Sequence, residues 1–239
     1  MNHYLSKFKE AREIVLPCLY QPPGTKPLTD VNLRKNVATQ EARKQSRIKL
    51  RVTAHTLPGV ERAVNKACDL LRIPRSRVHA FVSPETGRNA QCLMMTDEPM
   101  IVFGSALVEL MSEDELACVA GHEIGHFLLP EACYLSNPDT PEGRIHCRAA
   151  EITMDRIGLI ACRKVDKAVS AKLKLLSGLT SRHLRMDATA LVAQWREVAL
   201  VLDDKAASDL ANRYRAEDLW LAIPLPPPGG VPLMTGAID

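Results

Sequence analysis

The stretch SEDELACVAGHEIGHFLLP, residues 112–130, carries the strongest structural signal in the chain. Its first four residues have the S-x-x-E form of a capping box, in which Ser112 and Glu115 satisfy free N–H groups at the start of a helix. Pro130 has no backbone N–H, and its ring cannot continue a helix. The residues between these signals are mostly apolar. The pattern therefore predicts one apolar helix that begins at about Ser112 and ends near Pro130.

Two histidines lie on one face of this predicted helix. His122 and His126 are four residues apart, so their imidazoles can bind the same zinc ion. Glu123 lies off that face and is poorly placed as a ligand, but it can reach a metal-bound water and act as its general base. The alternative is a chance pair of helix histidines. The capped, apolar context favours the metal site over that alternative.

A catalytic zinc site needs a third protein ligand and an open fourth position. The stretch AAEITMDRIGL, residues 149–159, places Glu151 and Asp155 four residues apart on one predicted helix. Glu151 can complete a site of two histidines and one carboxylate, and Asp155 can accept the N–H of a ligand imidazole. The alternative is an exposed acidic face that pairs with Arg148 or Arg156. The nearby histidine pair favours the ligand interpretation.

Other residues are rival zinc ligands. His146 and His183 are the further histidines downstream of the motif, and Cys133 and Cys147 carry thiols. A site closed by cysteine would be structural rather than catalytic, and it would leave Glu123 without a role. Glu151 therefore remains the preferred third ligand.

The rest of the chain predicts a mainly helical α+β fold. Hydrophobic periodicity predicts helices at 1–20, 58–73, 141–163, 166–178, 187–202 and 204–222. Short apolar or alternating runs predict strands at 78–83, 89–95 and 100–104.

Composition divides the chain into three parts. Residues 1–57 form a helical and basic segment with a breaker-rich linker at 21–30, residues 58–222 form the main domain, and residues 223–239 form a proline-rich tail. The tail is expected to be a solvated arm, with the alternative that it lies in the cleft. Cys18 is expected to be a small buried residue, with the alternative that its thiolate blocks the zinc.

The composition excludes some classes of protein. A net charge of +3 and 4% aromatic residues are too low for a dedicated nucleic-acid binder. The seven cysteines are scattered and form no C-x-x-C pair, which indicates a reducing compartment. No run reaches signal-peptide character or the roughly 18 apolar residues of a membrane span. We therefore expect a cytoplasmic protein without a membrane span.

Three quoted stretches together resemble the M48 family of zinc metallopeptidases, which belongs to the gluzincin group. They are NAQCLMM at 89–95, MIVFGSALVELMSEDELACVAGHEIGH at 100–126 and EITMDRIGL at 151–159. The resemblance covers about residues 58–180. It implies a zincin-like α+β domain with a small sheet beside the active-site helix, and an enzyme that hydrolyses protein or peptide substrates.

The resemblance also implies roles for individual residues. One Zn²⁺ per chain is expected on His122, His126 and Glu151, with Glu123 as general base and Asp155 as the partner of His122. The substrate is expected to lie extended beside an edge strand that contains Asn89, Ala90, Gln91 and Cys92.

The chain departs from the family pattern near its C-terminus. Soluble family members often have a histidine-proline pair followed by an arginine there, whereas the comparable stretch, SDLANRYR at 208–215, contains no histidine. The candidate partners for a developing oxyanion are therefore His183, Arg213, Tyr214 and Arg215.

Three other functions remain open. They are a regulatory peptidase of the ImmA/IrrE type, a non-catalytic zinc-binding interaction module, and a DNA-associated HExxH protease. The last usually has a third histidine in place of Glu151, and only the basic segment at 31–51 supports it.

Overall fold

The computed structural model describes residues 3–21, 49–84, 88–95, 98–130, 141–185 and 190. The α-helices in these ranges are α1 (Lys9–Val15), α2 (Pro58–Leu70), α3 (Ser105–Leu110), α4 (Glu113–Leu128), α5 (Pro141–Cys162) and α6 (Val165–Ser177). The strands are β1 (Leu50–Arg51), β2 (His79–Ser83), β3 (Ala90–Met95) and β4 (Glu98–Gly104). The prediction of a mainly helical α+β fold is confirmed.

Most element predictions agree with the structure where it describes the chain. The N-terminal helix is the exception, because residues 1–20 were expected to form one helix. Instead, 3₁₀ turns at His3–Phe8 and Leu16–Cys18 flank α1, and Pro17 lies in the second turn, where its missing N–H interrupts α-helical bonding. The helices predicted at 187–202 and 204–222, the linker and the tail lie outside the described residues, apart from single residues at 21 and 190.

The strands form one mixed sheet in the order β1-β2-β4-β3. Strands β2 and β4 are parallel, whereas β1 pairs with β2 and β3 pairs with β4 in antiparallel fashion. Strand β4 is buried from Pro99 to Gly104, which fits its apolar sequence and central position. In the described part of the sheet, β3 has a neighbour on one side only and is therefore an edge strand.

Helix α4 is the central element of the fold. Every residue from Glu115 to Gly125 is buried, since β3 and β4 lie against one side of the helix and α2, α5 and α6 against the others. The predicted capping box is present, and the backbone N–H of Ser112 donates to Oε2 of Glu115 at 2.7 Å. The predicted start and end of this helix are confirmed.

Glu115 also joins α4 to α6. Its carboxylate accepts hydrogen bonds from the hydroxyl of Ser170 and from Nζ of Lys174, the latter at 2.6 Å. Lys174 also donates to the carbonyl of Leu110 at 3.1 Å. Burial raises the pKa of the Glu115 carboxyl, but these donors outweigh burial and hold that pKa below its ordinary value.

Small residues let α4 and α5 approach closely. A Cβ atom added at Gly158 would lie 2.7 Å from the carbonyl oxygen of Cys118, and one added at Gly121 would overlap the Cβ of Ala161. Neither neighbour is the end of a flexible side chain. The helix pair therefore requires glycine at both positions.

The N-terminal segment packs on the same core. The rings of Phe8 and Phe127 meet edge to face with centroids 5.1 Å apart, and the Arg12 guanidinium donates to the carbonyl of Leu128 at the end of α4. Further along, the backbone N–H of Tyr20 donates to Oγ1 of Thr153 on α5 at 2.9 Å. Residues 3–21 thus hold the C-terminal end of α4 and one face of α5.

We expect Glu115→Ala to lower the free energy of unfolding by about 3 kcal/mol, because it leaves the Lys174 ammonium buried without its partner. Chemical denaturation followed by circular dichroism measures this loss. Glu113→Ala is the control, because its ion pair with Arg62 is exposed and contributes little. Equal losses in the two variants would contradict a structural role for the Glu115 pair.

Gly121→Ala should destabilise the fold by about 2 kcal/mol, because the added methyl group separates α4 from α5 and this outweighs the gain in helix propensity. Gly125→Ala is the matched control. There the methyl group would meet the ends of the Met154 and Ile157 side chains, which can move aside. A denaturation midpoint for Gly121→Ala no lower than that of Gly125→Ala would contradict the close contact.

Candidate metal centre

Side chains of α4 and α5 converge at the middle of α4. His122 and His126 project from α4, and Glu151 projects from α5. Nε2 of His122 lies 3.2 Å from Nε2 of His126 and 3.2 Å from Oε2 of Glu151. Nε2 of His126 lies 3.8 Å from Oε1 of Glu151. The three residues predicted as zinc ligands therefore face one point.

This group fits a single metal ion. The three candidate ligand atoms all lie within 4.8 Å of one another, and among the described residues no other set of His, Cys, Asp or Glu does so. Tetrahedral zinc with bonds of about 2.0–2.1 Å places its ligand atoms roughly 3.3 Å apart, close to the spacings here. Oε2 of Glu151 is also buried and, within the described residues, accepts no hydrogen bond of good geometry, although Nε2 of His122 lies 3.2 Å away.

Asp155 lies one turn beyond Glu151 and contacts His122 from the other side of its ring. Its Oδ1 is 2.9 Å from Nδ1 of His122. A carboxylate at this nitrogen holds the proton there and directs Nε2 toward the ligand cluster. The geometry is the one that the resemblance implied for this residue.

Burial and charge shift the pKa values of the ligand side chains in opposite directions. Burial lowers the pKa of His122, but the carboxylates of Asp155 and Glu151 outweigh it and raise this pKa to about 9. Burial and the His122 charge lower the pKa of His126 to about 4. Burial raises the pKa of Glu151, but His122 and other nearby cations lower it to about 2. The lowered pKa favours the carboxylate form of Glu151, which is the form that binds a metal.

Glu123 is buried on the sheet side of α4. Within the described ranges its Oε1 has no hydrogen-bond partner, while the backbone N–H of Cys92 on β3 donates to its carboxylate. Burial raises the pKa of Glu123 to about 7, against the opposing charge of His122. A carboxylate with a pKa near neutrality can both take up and release a proton, which suits a general base.

The predicted substrate strand runs beside this carboxylate. The backbone N–H of Gly104 donates to the carbonyl of Asn89, so by alternation the N–H groups of Ala90 and Cys92 point away from β4. The Ala90 N–H binds Oδ1 of Asn89, and the Cys92 N–H binds Glu123. Gln91 pairs with Val102 on the other side. The open edge of β3 therefore faces Glu123.

The rival ligands lie elsewhere where the structure describes them. His146 is buried and Cys147 half-buried on α5, and neither joins the three-residue group. His183 is exposed in a turn after α6, and its ring makes no hydrogen bond or ion pair within the described ranges. The remaining candidates, Cys133, Arg213, Tyr214 and Arg215, lie outside the described residues.

Cys18 is buried in the second 3₁₀ turn, and its carbonyl accepts a hydrogen bond from Arg156 at 3.3 Å. Burial raises the pKa of its thiol, which favours the neutral form over the thiolate. These observations fit the expected small buried residue and give no support to Cys18 as a zinc-blocking ligand.

Sequence reasoning missed one charged residue beside the site. Lys172 on α6 has its Nζ 2.5 Å from Oδ1 of Asp155, and its side chain is only 14% exposed. A signal for it exists in the sequence, because Lys172 shares a helix face with Ala168 and Leu175 and so interrupts an apolar stripe. That pattern alone does not predict which anion forms an ion pair with Lys172.

Fold and site together define a mainly helical α+β domain whose central helix pair carries a candidate centre for one metal ion. The family model described as Peptidase family M48 matches residues 54–136 of this chain. This part of the chain is therefore similar to peptidase family M48. The resemblance of the quoted motifs to that family is confirmed.

A named relative extends the comparison beyond the family model. The chain is 26% identical over 198 residues to the Plastoglobule-localized metallopeptidase 48, chloroplastic, of Arabidopsis thaliana. The match includes 73% of this chain and 56% of the relative, so the chain spans little more than half of that protein's length. No solved structure matches the chain.

Two findings bear on location. No helix in the described ranges is both long and apolar enough to cross a membrane. The relative's name places that protein in the chloroplast, at plastoglobules, so the expected cytoplasmic location stays a prediction.

Proposed function

We propose that the chain is a zinc-dependent endopeptidase that hydrolyses peptide bonds in a protein or peptide substrate. The observation that carries the proposal is the convergence of His122, His126 and Glu151, with the buried Glu123 carboxylate beside them. The match of residues 54–136 to the M48 family model and the named metallopeptidase relative also support it. We assign one zinc ion per chain to the three converging residues.

Zinc held by these residues supplies Lewis-acid chemistry, which polarises the carbonyl of a peptide bond and lowers the pKa of water. Glu123 supplies the proton transfers. Its Oε1, which has no hydrogen-bond partner, takes a proton from the attacking water and later delivers it to the leaving amine. Asp155 keeps the Nδ1 proton of His122 in place, so that Nε2 remains available for the metal.

We propose that the substrate adds to the sheet as a further strand beside β3. Asn89, Ala90, Gln91 and Cys92 form the part of that edge nearest to the proposed base. Backbone pairing would hold an extended peptide with little dependence on its side chains. The N–H groups of Ala90 and Cys92 already bind Asn89 and Glu123, so the arriving strand must either use the carbonyls of β3 or replace these two acceptors.

The peptidase domain is proposed to span residues 58–222. The described part of the N-terminal segment packs on this domain, since Phe8, Val15 and Val52 lie in the same apolar core as α4. The oxyanion partner is sought among His183, Arg213, Tyr214 and Arg215.

Purified wild-type protein should contain one zinc ion per chain, and Glu151→Ala should lose most of it, because two imidazoles alone bind zinc weakly. Metal content by inductively coupled plasma mass spectrometry after dialysis measures this. His146→Ala is the control, since His146 lies on the same helix but outside the ligand group. Full zinc retention in Glu151→Ala would remove Glu151 as a ligand. A wild-type chain that binds no zinc would overturn the proposed function.

Glu123→Gln should retain zinc and lose at least about 100-fold in hydrolysis, because the amide cannot accept the proton of the attacking water. The measurement is cleavage of fluorescently labelled casein, with zinc content determined on the same preparations. Glu109→Gln on the exposed face of α3 is the control and should cleave as the wild type does. Undiminished cleavage by the zinc-loaded Glu123→Gln protein would remove Glu123 as the base. Zinc binding without cleavage by the wild type would favour the non-catalytic module.

A further inference from the structure

The largely buried ammonium of Lys172 lies next to the candidate metal centre and takes no part in the mechanism above. Lys172 projects from α6, a third helix that packs against both α4 and α5. Its Nζ lies 2.5 Å from Oδ1 of Asp155. The same oxygen lies 2.9 Å from Nδ1 of His122. Three helices thus contribute one side chain each to a single chain of contacts that ends at a proposed ligand.

Burial of the Lys172 side chain costs free energy unless a specific interaction offsets that cost. Its side chain is 14% exposed and that of Asp155 is 20% exposed, so the pair is largely removed from water. Lysine is rarely buried without a specific partner, and a purely apolar residue would fit the stripe formed by Ala168 and Leu175. Helix α6 has a second buried lysine, Lys174, but that residue pairs with Glu115 at the start of α4, away from the ligands.

The effect of Lys172 on Asp155 follows from the shape of a carboxylate. The group can rotate about its bond to Cβ and present either oxygen to His122. An ammonium on Oδ1 favours the rotamer in which that oxygen faces both Lys172 and His122. The imidazole orientation is then fixed from behind, and a ligand held in its binding orientation loses less freedom when the metal arrives.

We propose that Lys172 is a positioning residue of the metal centre, which acts through Asp155 to hold His122 in its metal-binding orientation. This inference rests on the proposed zinc site. It concerns affinity and geometry at the site rather than the hydrolytic step.

The test compares zinc affinity in full-length wild type, Lys172→Met and Lys172→Arg by competition with a chromophoric chelator. Lys172→Met keeps the length of the side chain without its charge, and we expect it to bind zinc about 10-fold more weakly. Lys172→Arg keeps a cation that can reach Asp155, so it should recover most of the affinity. Lys167→Met is the matched control on α6, because within the described part of the chain Lys167 pairs only with the exposed Asp166, and it should bind zinc as the wild type does.

A double-mutant cycle separates positioning from a general effect on folding or charge. In an Asp155→Asn background, Lys172→Met should change the zinc dissociation constant by less than about twofold, because the residue through which Lys172 acts has already been altered. An equal loss in both backgrounds would overturn the proposal. So would a zinc affinity in Lys172→Met equal to or tighter than that of the wild type.

The absorption spectrum of bound cobalt(II) is a measurement that would not change if Lys172 only formed a structural ion pair. The visible absorption bands of bound Co²⁺ report coordination geometry, and we expect them to change in Lys172→Met but not in Lys167→Met. If Lys172→Met does not fold, Lys172→Gln takes its place, with thermal unfolding of each metal-free protein as the check. A wild type that binds neither ion overturns the proposed function and this inference together. Identical cobalt spectra in wild type and the folded variant overturn the inference alone.

Discussion

The close contact between α4 and α5 is the constraint on which the site depends. His122 and His126 come from one helix and Glu151 and Asp155 from the other, so the ligand spacing is set by how near the two backbones lie. Gly121 immediately precedes the first histidine, and no Cβ fits between it and Ala161. The distance between packed helices depends on the side chains at their contact, so larger residues here would move the Asp155 and Glu151 carboxylates away from the histidines.

Buried charge is balanced by pairs that bridge different helices. Glu115 of α4 meets Lys174 of α6, and Asp155 of α5 meets both His122 of α4 and Lys172 of α6. Removing one member of such a pair leaves an uncompensated charge in a medium where that is costly. Helix α6 therefore supplies the counter-charges for two buried carboxylates, one at the start of α4 and one behind the ligands. Helix α6 thus contributes to the site by its charges. Its lysines lie on a face that hydrophobic periodicity alone would assign as apolar.

Residue spacing in the sequence predicts the features that local interactions control, such as helix faces and helix starts. The four-residue interval places His122 and His126 on one face whatever the rest of the chain does, and the capping signal at Ser112 fixes where α4 begins. Lys172 could not be assigned in this way, because its partner depends on how α6 crosses α5. The two-residue strand β1 was missed for a related reason, since Leu50 and Arg51 are exposed and form a strand only because β2 offers its edge. The break in the N-terminal helix at Pro17 is a local signal that the sequence carries, whereas the packing of Phe8 and Tyr20 on α4 and α5 is a long-range effect.

The sheet has a specific relation to the proposed base. A helix pair alone would be enough to gather the three proposed ligands, yet the Glu123 carboxylate beside them also reaches β3, where the Cys92 N–H donates to it. That N–H lies on the open edge of the sheet, the same edge along which an added peptide strand would run. Because one backbone segment contacts the base and borders the proposed substrate position, a shift of β3 would move both together. We therefore expect the edge strand to set the distance between the proposed base and a bound peptide, while the helices set the distance between that base and the proposed metal ligands.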